Sequence, residues 1–172
     1  YMYAGLSGEL LYKKPGSKFA AGVDLSTVQM RDYNMLLGLR DYKTTTGHLN
    51  LYYDAGGDVD LEVNVGRYLA KDWGVTTTIS RRFSNGWSVG AYATFTYVPF
   101  DKFGEGSFDK AIFITIPFDW MLGKPNQSRR NFDIRPITRD GGAILHAAKS
   151  LYNGIKPFQK SEIRRGYGRM WK

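Results

Sequence analysis

Asp60 and Glu62 are the side chains of this sequence best suited to acid–base chemistry. Glycoside hydrolysis uses two carboxyl groups that flank the scissile bond of a sugar. Residues two apart on a strand point to the same side and lie roughly 7 Å apart. A hydrolase needs its second carboxyl group across the sugar from the first, so this pair favours a structural or binding role. We predict no catalytic residue.

The other residues that could carry chemistry are sparse. His48 and His146 fall in different regions and lack the spacing of metal ligands. The chain has no cysteine, which excludes thiolate chemistry and cysteine-based metal sites. There is no G-x-S-x-G element, and the glycine pair Gly56–Gly57 is typical of a turn. We therefore predict neither a metal nor a cofactor.

The elements that position these residues are strands, because apolar and polar residues alternate with a period of two. In the clearest case Val59, Leu61 and Val63 point one way while Asp60 and Glu62 point the other. The same pattern predicts about seven strands of roughly 10 to 12 residues. The alternating residues that mark these strands lie within 2–12, 19–26, 48–53, 59–65, 73–80, 87–97 and 112–118.

Strand length, connections and aromatic placement all favour a membrane barrel. Strands of soluble proteins average about 5 or 6 residues, whereas a tilted strand that crosses a bilayer needs about 9 to 11. Predicted links after odd strands are short and both long links follow even strands, as in outer-membrane barrels. Aromatic residues gather near strand ends, whereas the core rings of a soluble β-sandwich would lie mid-strand. We predict an all-β, antiparallel, transmembrane up-and-down β-barrel.

An odd number of strands does not close an ordinary bacterial barrel. We therefore expect residues 1–120 to be the C-terminal strands of a larger barrel whose N-terminal portion precedes Tyr1. The run Met35–Leu39 is the other candidate for an uncounted strand.

Residues 121–172 form a second region, predicted to be a basic periplasmic tail. They hold twelve basic and three acidic residues, and so carry essentially all of the net charge of +8. Residues 123–139 are polar, contain two prolines and are predicted to be a linker. A short helix is expected near residues 142–153, where Ile144, Ala147 and Leu151 follow helical spacing before Asn153–Gly154. The seventh strand would descend toward the short links, which places this tail in the periplasm.

The basic tail has several possible partners: anionic lipid head groups, an acidic polysaccharide, another envelope protein, or solvent alone. The pI of about 9.6 with interleaved aromatic residues is also compatible with nucleic-acid binding. However, the charge belongs to the tail and forms no patch on a folded face, so we predict no nucleic-acid partner.

Three strings resemble the C-terminal region of a known family. They are RDYKTTTGHLNLYYD (residues 40–54), FGEGSFDKAIFITIPFD (residues 103–119) and RPITRDGGAIL (residues 135–145). In this order they are similar to the YjbH family of exopolysaccharide biosynthesis YbjH-like proteins, which includes GfcD of the group 4 capsule system. The resemblance implies an outer-membrane β-barrel lipoprotein that serves polysaccharide production or export. It supplies no catalytic motif. Lipidation is not carried over, because the lipid-bearing cysteine of the family would lie near the mature N-terminus, which we expect to precede this chain.

A polysaccharide conduit would present polar and aromatic side chains to its lumen, since sugars hydrogen-bond at their rims and stack on rings. Alternation predicts nine lumen-facing or glycan-facing residues: Tyr42, His48, Asn50, Tyr52, Asp60, Glu62, Asn64, Tyr68 and Tyr92. The same residues would equally serve as a hydrogen-bonded filling with no ligand.

We predict a non-enzymatic outer-membrane barrel that assists secretion or assembly of an exopolysaccharide or capsule. Its partners would be outer-membrane lipid, the polysaccharide and other envelope secretion proteins. The alternatives are an outer-membrane enzyme acting on lipid or polysaccharide, and a general diffusion porin.

Overall fold

Within the residues that the structure describes, the protein forms an eight-stranded antiparallel sheet and a short helix near the C-terminus. A computed structural model describes residues 3–32, 38–97, 108–117, 129–135, 143–145, 150–159 and 163. The strands are β1 (Tyr3–Tyr12), β2 (Phe19–Arg31), β3 (Leu39–Gly56), β4 (Val59–Arg67), β5 (Trp73–Arg82), β6 (Ser88–Thr96), β7 (Asp109–Pro117) and β8 (Arg129–Ile134), and the helix is α1 (Leu151–Ile155).

The strands follow one another in sequence order, each hydrogen-bonded to the next. The turns after β1, β3 and β5 all lie at one end of this meander, which we call the short-turn end. Glycines with positive φ, Gly16 at 77° and Gly86 at 89°, form two of these turns, in a backbone region that other residues rarely adopt. The links after β2, β4 and β6 lie at the opposite end.

The seven predicted strands correspond to β1 through β7, and an eighth corrects the count. β8 pairs with β7 over Arg129–Ile134, so the prediction of a linker across residues 123–139 is wrong over this strand. Its side chains alternate: Phe132 and Ile134 lie opposite Ile114 and Ile112 on β7. Residues 118–128 join β7 to β8 at the short-turn end, so links there are not uniformly short. Met35–Leu37 lies outside the described residues, and β3 begins at Leu39.

The sheet has an inverted distribution of polarity. One face, the apolar face, carries side chains that are exposed: Leu6, Leu10, Val23, Leu25, Leu49, Leu51, Val65, Val75, Ile79, Phe95 and Ile112. The other, the polar face, carries side chains that are buried: Ser26, Thr44, Thr46, His48, Asn50, Asn64, Thr76 and Thr94. Leu6 is 85% exposed while Thr46 is 1% exposed, the reverse of the usual partition between water and a protein core.

The sheet is open, because β1 pairs with β2 alone and β8 with β7 alone. Barrel closure, one half of the fold prediction, is therefore not seen within the described part of this chain. In the same part, no helix has the length and apolar character needed to cross a membrane.

After β8, two described segments of the chain contact the sheet, at opposite ends. β8 ends opposite Ile112, toward the link that follows β6. The carbonyl of Ala143 then accepts a hydrogen bond from the backbone N–H of Leu69, between β4 and β5. Residues 150–159, which we call the C-terminal strap, lie at the other end of the face, where Leu151 contacts Glu9 of β1. Ala143 therefore lies at the end that carries the links after β2, β4 and β6, which we call the long-link end, and the strap lies at the short-turn end.

The helix is shorter than predicted and lies later in the chain. α1 covers Leu151–Ile155 and continues into a 3-10 turn over Lys156–Phe158. Residues 143–145 are not helical, and residues 146–149 lie outside the described residues. Among the described residues, the last three residues of the predicted span 142–153 are therefore the first three residues of α1.

Candidate functional site

Alternation and register bring the nine predicted side chains onto the polar face. His48, Asn50 and Tyr52 lie along β3, each at most 5% exposed. Across the β3–β4 pairing, Tyr52 lies opposite Glu62 and Asn50 opposite Asn64. The face thus forms one continuous candidate site, and whether a glycan occupies it stays a prediction.

A hydrogen-bonded chain of polar side chains crosses β2, β3 and β4. The carboxylate of Asp24 contacts Nδ1 of His48 at 3.1 Å and accepts from the amide of Asn50 at 2.7 Å. The amide of Asn64 donates to the Asn50 oxygen at 2.7 Å and to Glu62 at 3.0 Å. Each of these five side chains has at least one partner on its own or a neighbouring strand, which offsets part of the cost of removing it from water.

A second chain of hydroxyl groups crosses β4, β5 and β6. The hydroxyl of Tyr68 lies 2.7 Å from that of Thr76, which lies 2.8 Å from that of Thr94. Tyr68 is fully buried, and its ring meets that of His48 edge to face at 5.0 Å. The two chains therefore touch at the His48–Tyr68 contact.

The glycine pair Gly66–Gly74 makes room for this arrangement. Gly66 on β4 pairs with Gly74 on β5, two residues before Tyr68 and two residues before Thr76. A Cβ at Gly66 would collide with the Gly47 carbonyl and lie 2.7 Å from the Cα of His48. Because glycine adds no side chain, β3 can approach β4 at Gly66, and β6 can approach β5 at Gly74, more closely than a Cβ would allow.

Asp60 and Glu62 both contact neighbouring groups of the chain. Asp60 contacts Nζ of Lys156 at 2.7 Å and the Arg82 guanidinium at 3.9 Å. Glu62 accepts from Asn64. Asp60 thus pairs with cations and Glu62 with an amide, and the binding or structural role that their spacing favours stays a prediction.

Tyr42 and Tyr92 lie at the margins of the face. Tyr42 is 37% exposed, and its hydroxyl donates to the Leu69 carbonyl at 2.7 Å near the long-link end. Tyr92 on β6 is half-buried and hydrogen-bonds Asp109 and Arg135. Both are thus tied to the sheet rather than free within it.

The C-terminal strap covers the short-turn end of the polar face. The ring of Tyr152 stacks on that of Tyr52, with centroids 3.8 Å apart and planes inclined by 8°. The backbone N–H of Leu151 donates to one Glu9 oxygen at 2.9 Å, and the Ser150 hydroxyl donates to the other at 3.4 Å. Tyr152 is only 5% exposed, so the strap is held against the sheet by ring, hydrogen-bond and ionic contacts.

Burial under the strap changes the titration of two groups outside the strands. Loss of solvent raises the pKa of Tyr152, despite its hydrogen bond to Gln159. Loss of solvent also lowers the pKa of Lys13, whose ammonium lies 5.6 Å from the centre of the same ring. Both shifts oppose charge at the short-turn end, where the strap excludes water.

The described residues contain no group of three or more histidine, aspartate or glutamate side chains that could hold a metal ion. Nε2 of His48 is buried without a hydrogen-bond partner, so no hydroxyl nucleophile accompanies the His48–Asp24 pair in the described structure. His146 lies outside the described residues.

Sequence reasoning missed three contributors to this face. Asp24 joins His48 to Asn50, and its alternation with Val23 and Leu25 was the signal that placed it there. Glu9 and Tyr152 were missed as site residues because their contacts join positions far apart in the chain: 142 residues separate Glu9 from Leu151. A contact between positions so far apart leaves no signal in the sequence pattern of either segment.

Comparison with known proteins identifies the family. The model of the family described as exopolysaccharide biosynthesis protein YbjH matches residues 1–157. The chain belongs to this family. It is 38% identical, over 157 residues, to a protein of Escherichia coli strain K12 named as the uncharacterized lipoprotein YjbH.

That alignment covers 88% of this chain and 22% of the relative, so the chain spans about a fifth of the relative's length. The name of the relative is consistent with an association with the cell envelope. No solved structure matches the chain significantly.

Proposed function

We propose that this chain contributes strands to an outer-membrane β-barrel that assists secretion or assembly of an exopolysaccharide without catalysing a reaction. The inverted polarity of the sheet is the observation that carries the proposal. A sheet in water hides its apolar side chains, whereas a barrel strand in lipid turns them outward and keeps polar ones within. Leu10 is 79% exposed and Leu25 60% exposed, while His48 is 4% exposed.

Strand lengths support the same proposal. β1 through β7 span 9 to 18 residues. About 9 to 11 residues are needed to cross a bilayer at the tilt of a barrel strand. Within this proposal, outer-membrane lipid contacts the apolar face and further strands of a longer protein join the open edges at β1 and β8.

The family supports a role in exopolysaccharide production, and the polar face supplies suitable chemistry. Sugars bind to aromatic faces and to carboxylate and amide groups, which Tyr52, Glu62 and Asn64 present on adjoining strands. The absence of a reaction belongs to the proposal. It is supported by the acids, which pair with groups of the chain itself, and by the lack of a hydroxyl beside His48 in the described structure.

The position of the strap supports a proposal for which end of the sheet faces the periplasm. Short turns face the periplasm in bacterial barrels, and the strap lies at the end that carries the turns after β1, β3 and β5. We therefore place α1 on the periplasmic side. The predicted exit from the sheet after a descending seventh strand does not support this placement, because β8 follows β7. The contacts of the strap support it instead.

Two measurements on the full-length protein test the proposal. Membrane fractionation with heat-modifiable gel mobility should recover it in the outer membrane, in a form that migrates differently before and after boiling. Recovery in the soluble fraction with no shift in mobility contradicts the barrel. Deletion should change the amount, length or surface retention of the secreted polysaccharide, and an unchanged polysaccharide contradicts the role in export.

A further inference from the structure

We propose that the ring of Tyr52, with the carboxylates of Glu9 and Asp60 beside it, is a binding site for one neutral hexopyranose unit of a polysaccharide, and that Tyr152 of the strap occupies it in the ligand's absence. This inference rests on the proposed function, which supplies the class of ligand. It adds a defined position on the polar face and a competition between the ligand and the chain itself.

The contacts made by the strap define the chemistry of the site. A flat ring lies parallel to Tyr52 at 3.8 Å, which is the spacing at which the apolar face of a sugar also stacks on an aromatic ring. Glu9 accepts from a backbone N–H and from the Ser150 hydroxyl, both uncharged donors. A sugar offers the same combination of an apolar ring face and hydroxyl donors at its rim.

The strap differs from the body of the sheet in how it is held. The sheet is joined by continuous backbone ladders, whereas the strap contacts it through one stacked ring, hydrogen bonds to Glu9 and an ion pair at Asp60. None of these contacts requires a rearrangement of strands to be broken. A ligand that supplies equivalent contacts to Tyr52 and Glu9 can therefore replace the strap while leaving the sheet intact.

The charges that remain select a neutral sugar. Lys156 pairs with Asp60 and leaves together with the strap, since it belongs to residues 150–159. Glu9, Asp60 and Glu62 stay on the sheet, as do Arg82, which lies 3.9 Å from Asp60, and Lys13, whose ammonium lies 5.6 Å from the centre of the Tyr152 ring. The three carboxylates still outnumber these two cations. Repulsion from these carboxylates disfavours a uronic acid, while each carboxylate accepts hydrogen bonds from sugar hydroxyls.

Binding of cellohexaose to the full-length protein in detergent, followed by titration calorimetry, tests the site. A ligand that competes with the strap binds in proportion to the fraction of time that the site is open. If Tyr152 covers Tyr52 for nine-tenths of the time, Tyr152→Ala lowers the apparent Kd about tenfold. Tyr52→Ala should abolish binding, and a hexamer of galacturonic acid should bind more weakly than cellohexaose.

Matched variants separate the site from general effects on folding. Phe158→Ala changes a side chain of the same strap that is 78% exposed, and should leave the Kd unchanged. Tyr52→Phe and Tyr152→Phe keep the rings, so the first should retain binding and the second should not gain affinity. Heat-modifiable mobility identifies any variant that fails to fold.

Three results overturn the inference: no binding of cellohexaose by either the wild type or Tyr152→Ala, equal affinity of wild type and Tyr152→Ala, or tighter binding of the acidic hexamer. Each can occur while the protein remains an outer-membrane barrel whose deletion alters the polysaccharide. A failure of the site is thus distinguishable from a failure of the proposed function.

Discussion

An arginine at Leu25 distinguishes a lipid environment from water on the apolar face. Leu25 is the seventh residue of the thirteen in β2 and is 60% exposed. Its neighbours across both adjoining strands are glycines, Gly8 on β1 and Gly47 on β3. A longer side chain at this position therefore meets no side chain of a paired residue, and steric conflict with the partner strands is small.

The exposed fraction of Leu25 sets the expected change in the free energy of unfolding. Full burial of a leucine is worth about 1.5–3 kcal/mol, so the buried two-fifths of Leu25 contribute about 0.6–1.2 kcal/mol, which Leu25→Ala measures. In water Leu25→Arg would cost no more than this, because the arginine stem keeps part of the contact. At the centre of a bilayer, arginine on the lipid face of a barrel costs about 2–4 kcal/mol.

Equilibrium unfolding of the full-length protein in lipid vesicles, with the wild type and both variants measured in parallel, gives the free energies. Tyr12→Arg is the matched control, because Tyr12 is 74% exposed on the same face but ends β1. Near the interface the cost should fall to about 0–1 kcal/mol. If Leu25→Arg destabilises no more than Leu25→Ala does, the apolar face does not lie in lipid.

Three further predictions concern the polar face and the strap. Tyr68→Phe removes the first hydroxyl of the Tyr68–Thr76 bond and should lower the free energy of unfolding by about 0.5–1.5 kcal/mol, whereas Tyr97→Phe, at a side chain 92% exposed, should not change it. Gly66→Ala places a methyl group against the Gly47 carbonyl and should cost about 1–3 kcal/mol in the same assay, while Gly8→Ala, with no atom within 4 Å, should be nearly neutral. Lys156→Ala breaks the ion pair with Asp60, and chymotrypsin should then cleave the strap faster than in the Lys14→Ala control; equal rates would show that the pair does not hold the strap.

Much of the sheet was predictable because each strand carries its own signal. Alternation of Val59, Leu61 and Val63 with Asp60 and Glu62 defines the faces of β4 without knowledge of its neighbours. Register then follows from keeping like faces together, because a slip by one residue would turn every side chain to the wrong side. All nine predicted lumen residues therefore lie on one face of the structure.

β8 was missed although Phe132 and Ile134 alternate with Asn131 and Asp133. The strand has six residues, begins with two arginines and lies between segments with prolines, so composition hid a short periodic signal. Its position is decided by pairing with β7, where Phe132 and Ile134 extend the apolar row of Ile114 and Ile112. Such pairing is a property of two segments together and cannot be derived from either alone.

The strap covers the short-turn end of the polar face and is held there by polar contacts as well as by the packing of Tyr152 on Tyr52, Ala20 and Leu11. An apolar segment on an apolar face would be separated only at the full cost of exposing both surfaces to water. On the polar face, water or a hydroxylated ligand can replace each hydrogen bond to Glu9, and the ion pair at Asp60 weakens as solvent enters. The stack of Tyr152 on Tyr52 is the largest apolar contact that remains, and a sugar ring can substitute for it. A polar interior therefore allows the strap to be ordered when no ligand is bound and still to be displaced by a sugar. An apolar core would not allow this displacement.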